Sequence, residues 1–361
     1  MTYKAKIFGA GSIGNHLTNA CRLAGFEVTM VDSDPGALRR MKEEIYPKRY
    51  GAWDEGIQQF LPQDAPKGGF DVVLVGTPPD VHLRVATSVL REEAPKVLQI
   101  EKPLCSPTLE GLDEFLEEVR RHPETAVVVG YNHLLAENTA KTEEIIRLGT
   151  LGKPQAMDCE FRSHWKNIFD AHPWLSGPKD TYLGFWRRGG GAGGEHSHGL
   201  NLWQHMAHTV GAGRVAEVGA IFDFVESDGA SYDRSCFLNL ATERGLVGRV
   251  VHDVITLPKK KFLQLQCENG SVGWHNDVTK TSDQVIVQEQ GKDKQVLDIQ
   301  KTRVEEFSRE IEHIRGIIEG RVNAADSPIR LARAVDTMCV LAAAVQSHRE
   351  KRVVTVRYAA L

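Results

Sequence analysis

The sequence predicts an α/β fold in two parts: a parallel sheet covered by helices on both faces, then an α+β region on a large, mostly antiparallel open sheet. Three observations lead there. From Tyr3 to about Val129, short and nearly continuous runs of Val, Ile and Leu alternate with helical patterns. Strands buried on both faces read this way, because crossover helices cover a parallel sheet above and below. After about residue 130, segments such as PQAMDCEFRSHW, VAEVGAIFDFVES and DQVIVQEQ alternate with period two, the mark of strands with one face on a core and the other on solvent or a partner. Finally, 361 residues exceed the roughly 250 to 300 at which single cores stop growing.

Taken in order, KAKIFGA is a strand and the residues from about Ile13 to Ala24 a helix. FEVTMVD and PGALRRMKEEI repeat that unit. FDVVLVGTP, KVLQIEKP and TAVVVGYN are further buried strands, separated by the helical stretches VHLRVATSVLREE and TLEGLDEFLEEVRR. The first strand runs into Gly9-Ala10-Gly11-Ser12-Ile13-Gly14, a G-x-G-x-x-G that opens the first helix, and Asp32 follows at the end of the second strand. This is the arrangement of a Rossmann dinucleotide-binding domain. Gly9 permits the tight turn, Gly11 lets the backbone approach a pyrophosphate, and Gly14 lets helix and strand pack closely. The helix N-terminus, opened by Ser12 and Ile13, offers free N–H groups to the phosphates. Asp32 would accept hydrogen bonds from the ribose hydroxyls and repel a 2′-phosphate. With no arginine before Arg39, NAD is expected rather than NADP.

The expected division is a dinucleotide-binding domain over residues 1–130 and an α+β domain over 131–361. A closing helix over about 329–347 is expected to return to the first domain. Apolar residues make up 41% and charged residues 25%, with a net charge of −4 dispersed along the chain. No basic tract, zinc-finger or RNP-like pattern appears, so no nucleic-acid partner is expected. No window approaches the roughly 20 apolar residues of a membrane span, and the segment MTYKAKIFGAGSIG lacks a signal-peptide pattern. Six cysteines without a C-x-x-C pair read as reduced thiols, which gives a cytoplasmic expectation.

Two more strand ends carry motifs. Gly76-Thr77-Pro78-Pro79 closes DVVLV, with His82 three residues beyond, and Glu101-Lys102-Pro103 closes VLQI. Gly130-Tyr131-Asn132 follows the last strand of the first part. On these residues the chain resembles the glucose–fructose oxidoreductase, inositol dehydrogenase and MocA family of nicotinamide-dependent oxidoreductases, over nearly its whole length. The resemblance implies that Thr77, Pro78, His82 and Glu101 line the cofactor and that Lys102 stands at the nicotinamide. It also implies an open sheet used for oligomer contacts, hence a homodimer or homotetramer. His133-Leu134-Leu135-Ala136 departs from the family's continuation.

Lys102 also has a physical case of its own. A lysine at the carboxyl end of a parallel strand lies where such sheets bind ligands, and partial burial among other charges tunes its basicity. It can orient a substrate hydroxyl and take or relay its proton. The competing reading is a solvated lysine paired with Glu101.

The stretch RRGGGAGGEHSHGLNLWQH supplies the other half of the chemistry. In the family, glycines precede a helix carrying an aspartate and, four residues on, a histidine. Counting back from His198 leaves Gly194 at the aspartate position, whereas counting from the glycines puts Glu195 there and Gly199 at the histidine position. We take His198 as the acid–base group, with Glu195 replacing the carboxylate from three residues earlier on the same helix face and Asn201 reaching the substrate. A neutral imidazole with an ordinary pKa near 6.5 suits proton acceptance. The glycines would admit cofactor and substrate where side chains would clash. A first-turn carboxylate favoured by the helix dipole and a core histidine are the plain alternatives. His196 falls about 200° around the helix from His198, on a different surface. No metal is expected: His198 and His205 lie two turns apart, about 10 Å, against ligand distances of about 2 Å.

Ser163-His164-Trp165-Lys166, His172-Pro173-Trp174 and Trp186-Arg187-Arg188 are rich in aromatics and bases. Aromatic faces pack on sugar C–H groups and arginines pair with carboxylates or phosphates. Trp165 and Arg188, with Tyr131, Asn132 and His133 at the domain junction, are therefore candidate substrate contacts; equally, the tryptophans brace a long loop. The expected function is NAD-dependent hydride transfer at a secondary alcohol or ketone of a sugar or polyol, with acidic, phosphorylated and nucleotide-linked sugars among the options. A cofactor-binding sensor without turnover and an NAD-dependent glycosidase are the alternatives.

Overall fold

The computed structural model describes residues 2–170, 172 and 174–360. In its first part, β1 (Lys4–Phe8), β2 (Glu27–Val31), β3 (Ile57–Phe60), β4 (Val72–Val75), β5 (Val97–Ile100) and β6 (Ala126–Val129) form one six-stranded sheet in the order β3-β2-β1-β4-β5-β6. Every pairing in it is parallel. Its crossovers include α1 (Ser12–Leu23), α2 (Pro35–Arg40), α3 (Tyr46–Tyr50), α4 (Pro79–Glu92) and α5 (Leu112–Arg121). All four residues of β4 are fully buried, which is why that strand reads as an unbroken apolar run. The strand order reverses between β1 and β4, and such a switch point opens a ligand crevice at the carboxyl ends of the strands. β3 was not anticipated. Its sequence, IQQF, puts two glutamines at its centre, and an edge strand needs no continuous apolar run.

The second sheet has nine strands: β7 (Pro154–Arg162), β8 (Val215–Ser227), β9 (Ala230–Thr242), β10 (Val247–Asp253), β11 (Lys260–Cys267), β12 (Gly270–Thr279), β13 (Ser282–Glu289), β14 (Gln295–Gln300) and β15 (Val354–Thr355). Their order is β14-β13-β12-β11-β7-β10-β9-β8-β15. Only β7 and β10 pair in parallel, so the sheet is mostly antiparallel. The helices of this part are α6 (Glu137–Leu148), α7 (Lys166–Asp170), α8 (Gly191–Glu195), α9 (Ser197–Thr209), α10 (Arg303–Ile318) and α11 (Leu331–Glu350). α6, α9 and α11 lie against the inner face. Two buried indoles fasten them: Trp203 Nε1 donates to Met157 O at 2.8 Å, and Trp274 Nε1 to Thr139 Oγ1 at 2.9 Å.

Contacts between helices and segments of the two parts of the chain position the site. α10 packs on α1, and the segment leading into α11 runs beside β6, where Val129 N donates to Ile329 O at 2.8 Å. The six cysteines are free and buried. Among the described residues no helix is long and apolar enough to cross a membrane.

Candidate active site

The glycine turn after β1 divides its labour as its spacing implies. A Cβ on Gly14 would stand 1.8 Å from Gly9 O, and one on Gly9, at φ +103°, would stand 2.7 Å from Gly76 O. Both glycines are thus demanded by the protein's own backbone. A Cβ on Gly11 would meet nothing within 4 Å, so open space lies before the N-terminus of α1. Arg49 holds Ser12 from the side through its hydroxyl and carbonyl oxygens, while Ile13 is partly buried. At the rim, Asp32 Oδ2 accepts from Ala10 N at 2.7 Å and Oδ1 from Asp34 N at 2.8 Å. The cap of α2 is Asp34, which accepts from Gly36 N.

At the end of β4, the buried Thr77 Oγ1 has no hydrogen-bond partner among the described residues, and Pro78 caps α4. His82 ties this loop to the next: its Nε2 meets Thr77 O at 2.6 Å and its Nδ1 meets Pro103 O at 3.0 Å. Burial lowers its pKa to about 4 against the opposing pull of those carbonyls. His82 is therefore a brace between two loops rather than a group facing the crevice. Glu101 is buried beneath the loop and accepts from Gln99 Nε2, which also donates to the buried Glu310 of α10. An open phosphate turn, a rim carboxylate and an orphaned hydroxyl fit a nicotinamide dinucleotide. Asp32→Ala should weaken NAD binding about tenfold or more, the range for a hydrogen bond to a charged group; calorimetry giving wild-type affinity would remove Asp32 from the ribose.

Lys102 leaves β5 through a cis Lys102–Pro103 peptide and reaches across to the second part of the chain. Its Nζ donates to Glu195 O at 2.9 Å and to Glu195 Oε2 at 3.2 Å. The two side chains are 12% and 21% exposed, so the pair is accessible at a cleft rather than solvated at a surface. Lys102 is paired with Glu195, not with Glu101.

The expected single helix through Glu195 and His198 is two helices. α8 ends at Glu195, the chain breaks at His196 (φ −98°, ψ 18°), and α9 starts at Ser197. Glu195 and His198 therefore share no helix face; Glu195 turns to Lys102, and His198 stacks on His133. Their ring centroids are 4.3 Å apart and 10° from parallel, with the buried Tyr131 ring edge-on to His198 at 5.5 Å. Burial, then the positive fields of His133, Lys102 and Lys261, hold the His198 imidazole well below its ordinary range. His196 takes other partners, among them the His252 ring at 6.2 Å. It meets Ser163 Oγ at 3.3 Å, and burial, with Lys261 and Lys102 beside it, lowers it to about 3.

Lys261 was not anticipated. It sits on β11 with its ammonium 5.6 Å from the Phe161 ring centroid and 3.8 Å from Asp277. The signal was present: Lys261 shares the inward parity of the buried Leu263 and Leu265, and a lysine on a core-facing register is unusual.

Other candidates hold structural partners. Asn201 is buried and donates to Thr337 Oγ1 of α11 at 2.9 Å, so it fastens two helices instead of lining the cleft. Trp165 is 5% exposed in a small apolar cluster with Leu183, Ala192 and Val254, its ring on Tyr232 at 4.6 Å; it braces the loop under α8. Arg188 pairs with Asp80 at the start of α4, 2.7 Å. Asn132 is partly buried and meets His133 Nδ1 through Oδ1 at 3.1 Å. Pro173 lies outside the described residues. His205 pairs with Glu143, and burial and Arg333 lower His208 to about 4. Among the described residues no three His, Cys, Asp or Glu side chains converge as a metal requires.

The glycines of the long run are required by the protein's own packing. A Cβ on Gly190 would lie 2.2 Å from Tyr182 O, on Gly194 2.0 Å from Gly189 O, and on Gly191 1.8 Å from Asp233 Oδ1. Gly189, at φ +89°, abuts Pro79 at the start of α4 and Pro103 in the loop after β5. The close approaches are to backbone, Asp233 and two prolines.

No family model and no curated protein matches the chain. Solved structures match its fold along nearly the whole length. An NAD binding oxidoreductase from Klebsiella pneumoniae aligns with a TM-score of 0.76 at 16% identity, covering 99% of this chain and 100% of that one. Levoglucosan dehydrogenase in complex with NADH and levoglucosan gives 0.74 at 17%, with coverage of 99% and 100%. An inositol dehydrogenase homolog from Azotobacter vinelandii, complexed with NADH and myo-inositol, gives 0.75 at 18%, with coverage of 99% and 98%. The parallel sheet joined to a large open sheet is the fold of these NAD-binding oxidoreductases.

Proposed function

We propose that the chain is an NAD-dependent oxidoreductase acting at a secondary alcohol or ketone carbon of a sugar or polyol. The observation that carries the reading is the Lys102–Glu195 pair, held at the carboxyl end of β5 beside the neutral His198. Bound NAD supplies the hydride acceptor, and NADH the donor. Solved structures of this fold hold NADH with levoglucosan or myo-inositol, which supports both the cofactor and the substrate class. Asp32 at the rim favours NAD over NADP.

In the oxidative direction Lys102 takes the hydroxyl proton as it passes one of its own to Glu195 Oε2, so the pair ends with the proton on the carboxylate. A base works best with a pKa near the operating pH, and His198 is held far below it. His198 therefore hydrogen-bonds the substrate oxygen as a neutral ring, without adding charge, and the proton falls to Lys102 and Glu195 instead of His198. Tyr131 and His133 fix that ring, while Asn132 and Lys261 flank the cleft as substrate contacts. A homodimer or homotetramer would bury the outer face of the nine-stranded sheet, where Ile221 and Phe237 are cross-strand neighbours, 69% and 44% exposed.

The test is a panel of sugars, polyols and sugar acids with NAD and NADP, followed at the NADH absorbance for wild type and Glu195→Gln. Turnover with NAD, reduced about 100-fold or more in Glu195→Gln, is expected. Equal turnover in both proteins would remove Glu195 from the proton path.

A further inference from the structure

We infer that Asp233 is a positioning residue for the Lys102–Glu195 pair, because its carboxylate pins the glycine-rich helix α8 that ends in Glu195. The inference rests on the function proposed above for that pair.

Asp233 lies on β9, in the sheet, and is 2% exposed. Its Oδ2 accepts from Gly193 N at 2.7 Å. At Gly191, φ +75°, its Oδ1 occupies the place a side chain would take, 1.8 Å from the ideal Cβ. α8 has the sequence GAGGE, three residues of which are glycines that do little to sustain a helix, and five residues are too few to be stable alone. Its leading N–H groups have no partners within the helix and need an acceptor from elsewhere; no side chain at its own N-cap supplies one. The acceptor comes from β9. A continuous path results: Asp233 carboxylate, Gly193 N–H, two residues of α8, then Glu195, whose carbonyl and carboxylate both hold Lys102 Nζ. The glycines at 191 and 193 are what let the carboxylate sit against the helix start.

Burial pushes Asp233 up to about 7, against the lowering effect of the Gly193 and Ala192 N–H groups. Ionisable groups on the elements around it include Glu195 on α8, Asp223 on β8, Tyr232, Arg234 and Cys236 on β9, His252 on β10, His348 on α11 and Tyr182 in the preceding turn. Asp223 and Arg234 are paired with each other, Asp233 helps to push the Cys236 thiol up, and none of these groups contributes to the Asp233 shift. The carboxylate faces only donors, so protonation puts an O–H among N–H groups and loosens the grip. The sign for stability is opposite. A carboxyl raised from about 4 in the unfolded chain to about 7 when folded adds stability at low pH, and loses it as pH rises through that window. Acidification from neutrality should therefore slow turnover while raising the melting temperature. A carboxylate with a purely structural role would raise the melting temperature in the same way but leave turnover without an acid limb.

The experiment compares wild type with Asp233→Asn, which keeps the shape and one acceptor, and with Gly191→Ala, which displaces the carboxylate. Two quantities are read: the pH profile of kcat with saturating substrate, and hydrogen–deuterium exchange of residues 189–196, corrected for intrinsic rates. Wild-type kcat should fall on the acid side of about pH 7, and Asp233→Asn should lose that limb and lie about 100-fold lower at alkaline pH, as for a small misplacement of reacting groups. Exchange over 189–196 should rise in wild type on acidification, and should be high and pH-independent in Asp233→Asn, with NADH affinity unchanged. If no sugar turns over in wild type, the proposed function fails, and exchange alone decides the role of Asp233. Should Asp233→Asn not fold, the same two readouts on Gly191→Ala decide. Wild-type kcat, acid limb and exchange in a folded variant would overturn the inference, even if its melting temperature dropped.

Discussion

Lys102→Met is expected to lower kcat about a thousandfold on the best substrate, within the range for losing a positioned acid–base group, while NADH still binds. Methionine keeps the apolar stem of a side chain that is only 12% exposed, so the loop after β5 keeps its packing. What disappears is the ammonium that donates to Glu195 O and Oε2. Glu195 loses both the link that orients it and the donor that would pass it a proton. His198 cannot substitute, because burial and its cationic neighbours hold it neutral and weakly basic. Turnover within about tenfold of wild type would fall outside that range and would take Lys102 out of the proton path.

Gly14→Ala should strongly destabilise the fold. The new Cβ would stand 1.8 Å from Gly9 O and 3.0 Å from Gly9 C, both backbone atoms of the same turn. Neither can yield as a flexible side chain would, so α1 must separate from β1 or the turn must open. A destabilisation of about 3 kcal/mol, at the upper end for overpacking, is expected in urea unfolding, with loss of NADH binding. Gly11→Ala is the control. Its Cβ meets no protein atom within 4 Å, so it should melt close to wild type, yet its methyl projects where the pyrophosphate would lie. Wild-type stability in Gly14→Ala would contradict the packing of the turn, and wild-type NADH affinity in Gly11→Ala would contradict the use of the open space.

What the sequence disclosed and what it hid follow one physical line. GAGSIG with Asp32, and the lysine after VLQI, are local: strand, turn and helix start lie within a few residues, and the backbone geometry of the turn admits few side chains. The break at His196 was hidden because Glu195 and His198, three apart, fit an unbroken helix, and the glycine run carries no side-chain pattern to argue otherwise. Its cause is non-local. The acceptor for the start of α8 is Asp233, 40 residues beyond Gly193, and the partners of Gly189 are Pro79 and Pro103. The partners of Asn201 and Trp165 were hidden for the same reason, since Thr337 and Tyr232 stand far along the chain. α10 was overlooked although legible: Thr302 and Glu305 form a reciprocal capping box, a recognised start signal. Its buried Glu310, which meets Gln99, was beyond any local pattern.

The most direct measurement uses NADH deuterated at the transferable position of the nicotinamide, with the ketone form of the best substrate and enzyme in catalytic amount. The product should carry deuterium on the carbon that bears the new hydroxyl, at one atom per NADH consumed, and Lys102→Met should transfer it about a thousandfold more slowly. NADH that binds yet keeps its deuterium across the whole panel would contradict the account.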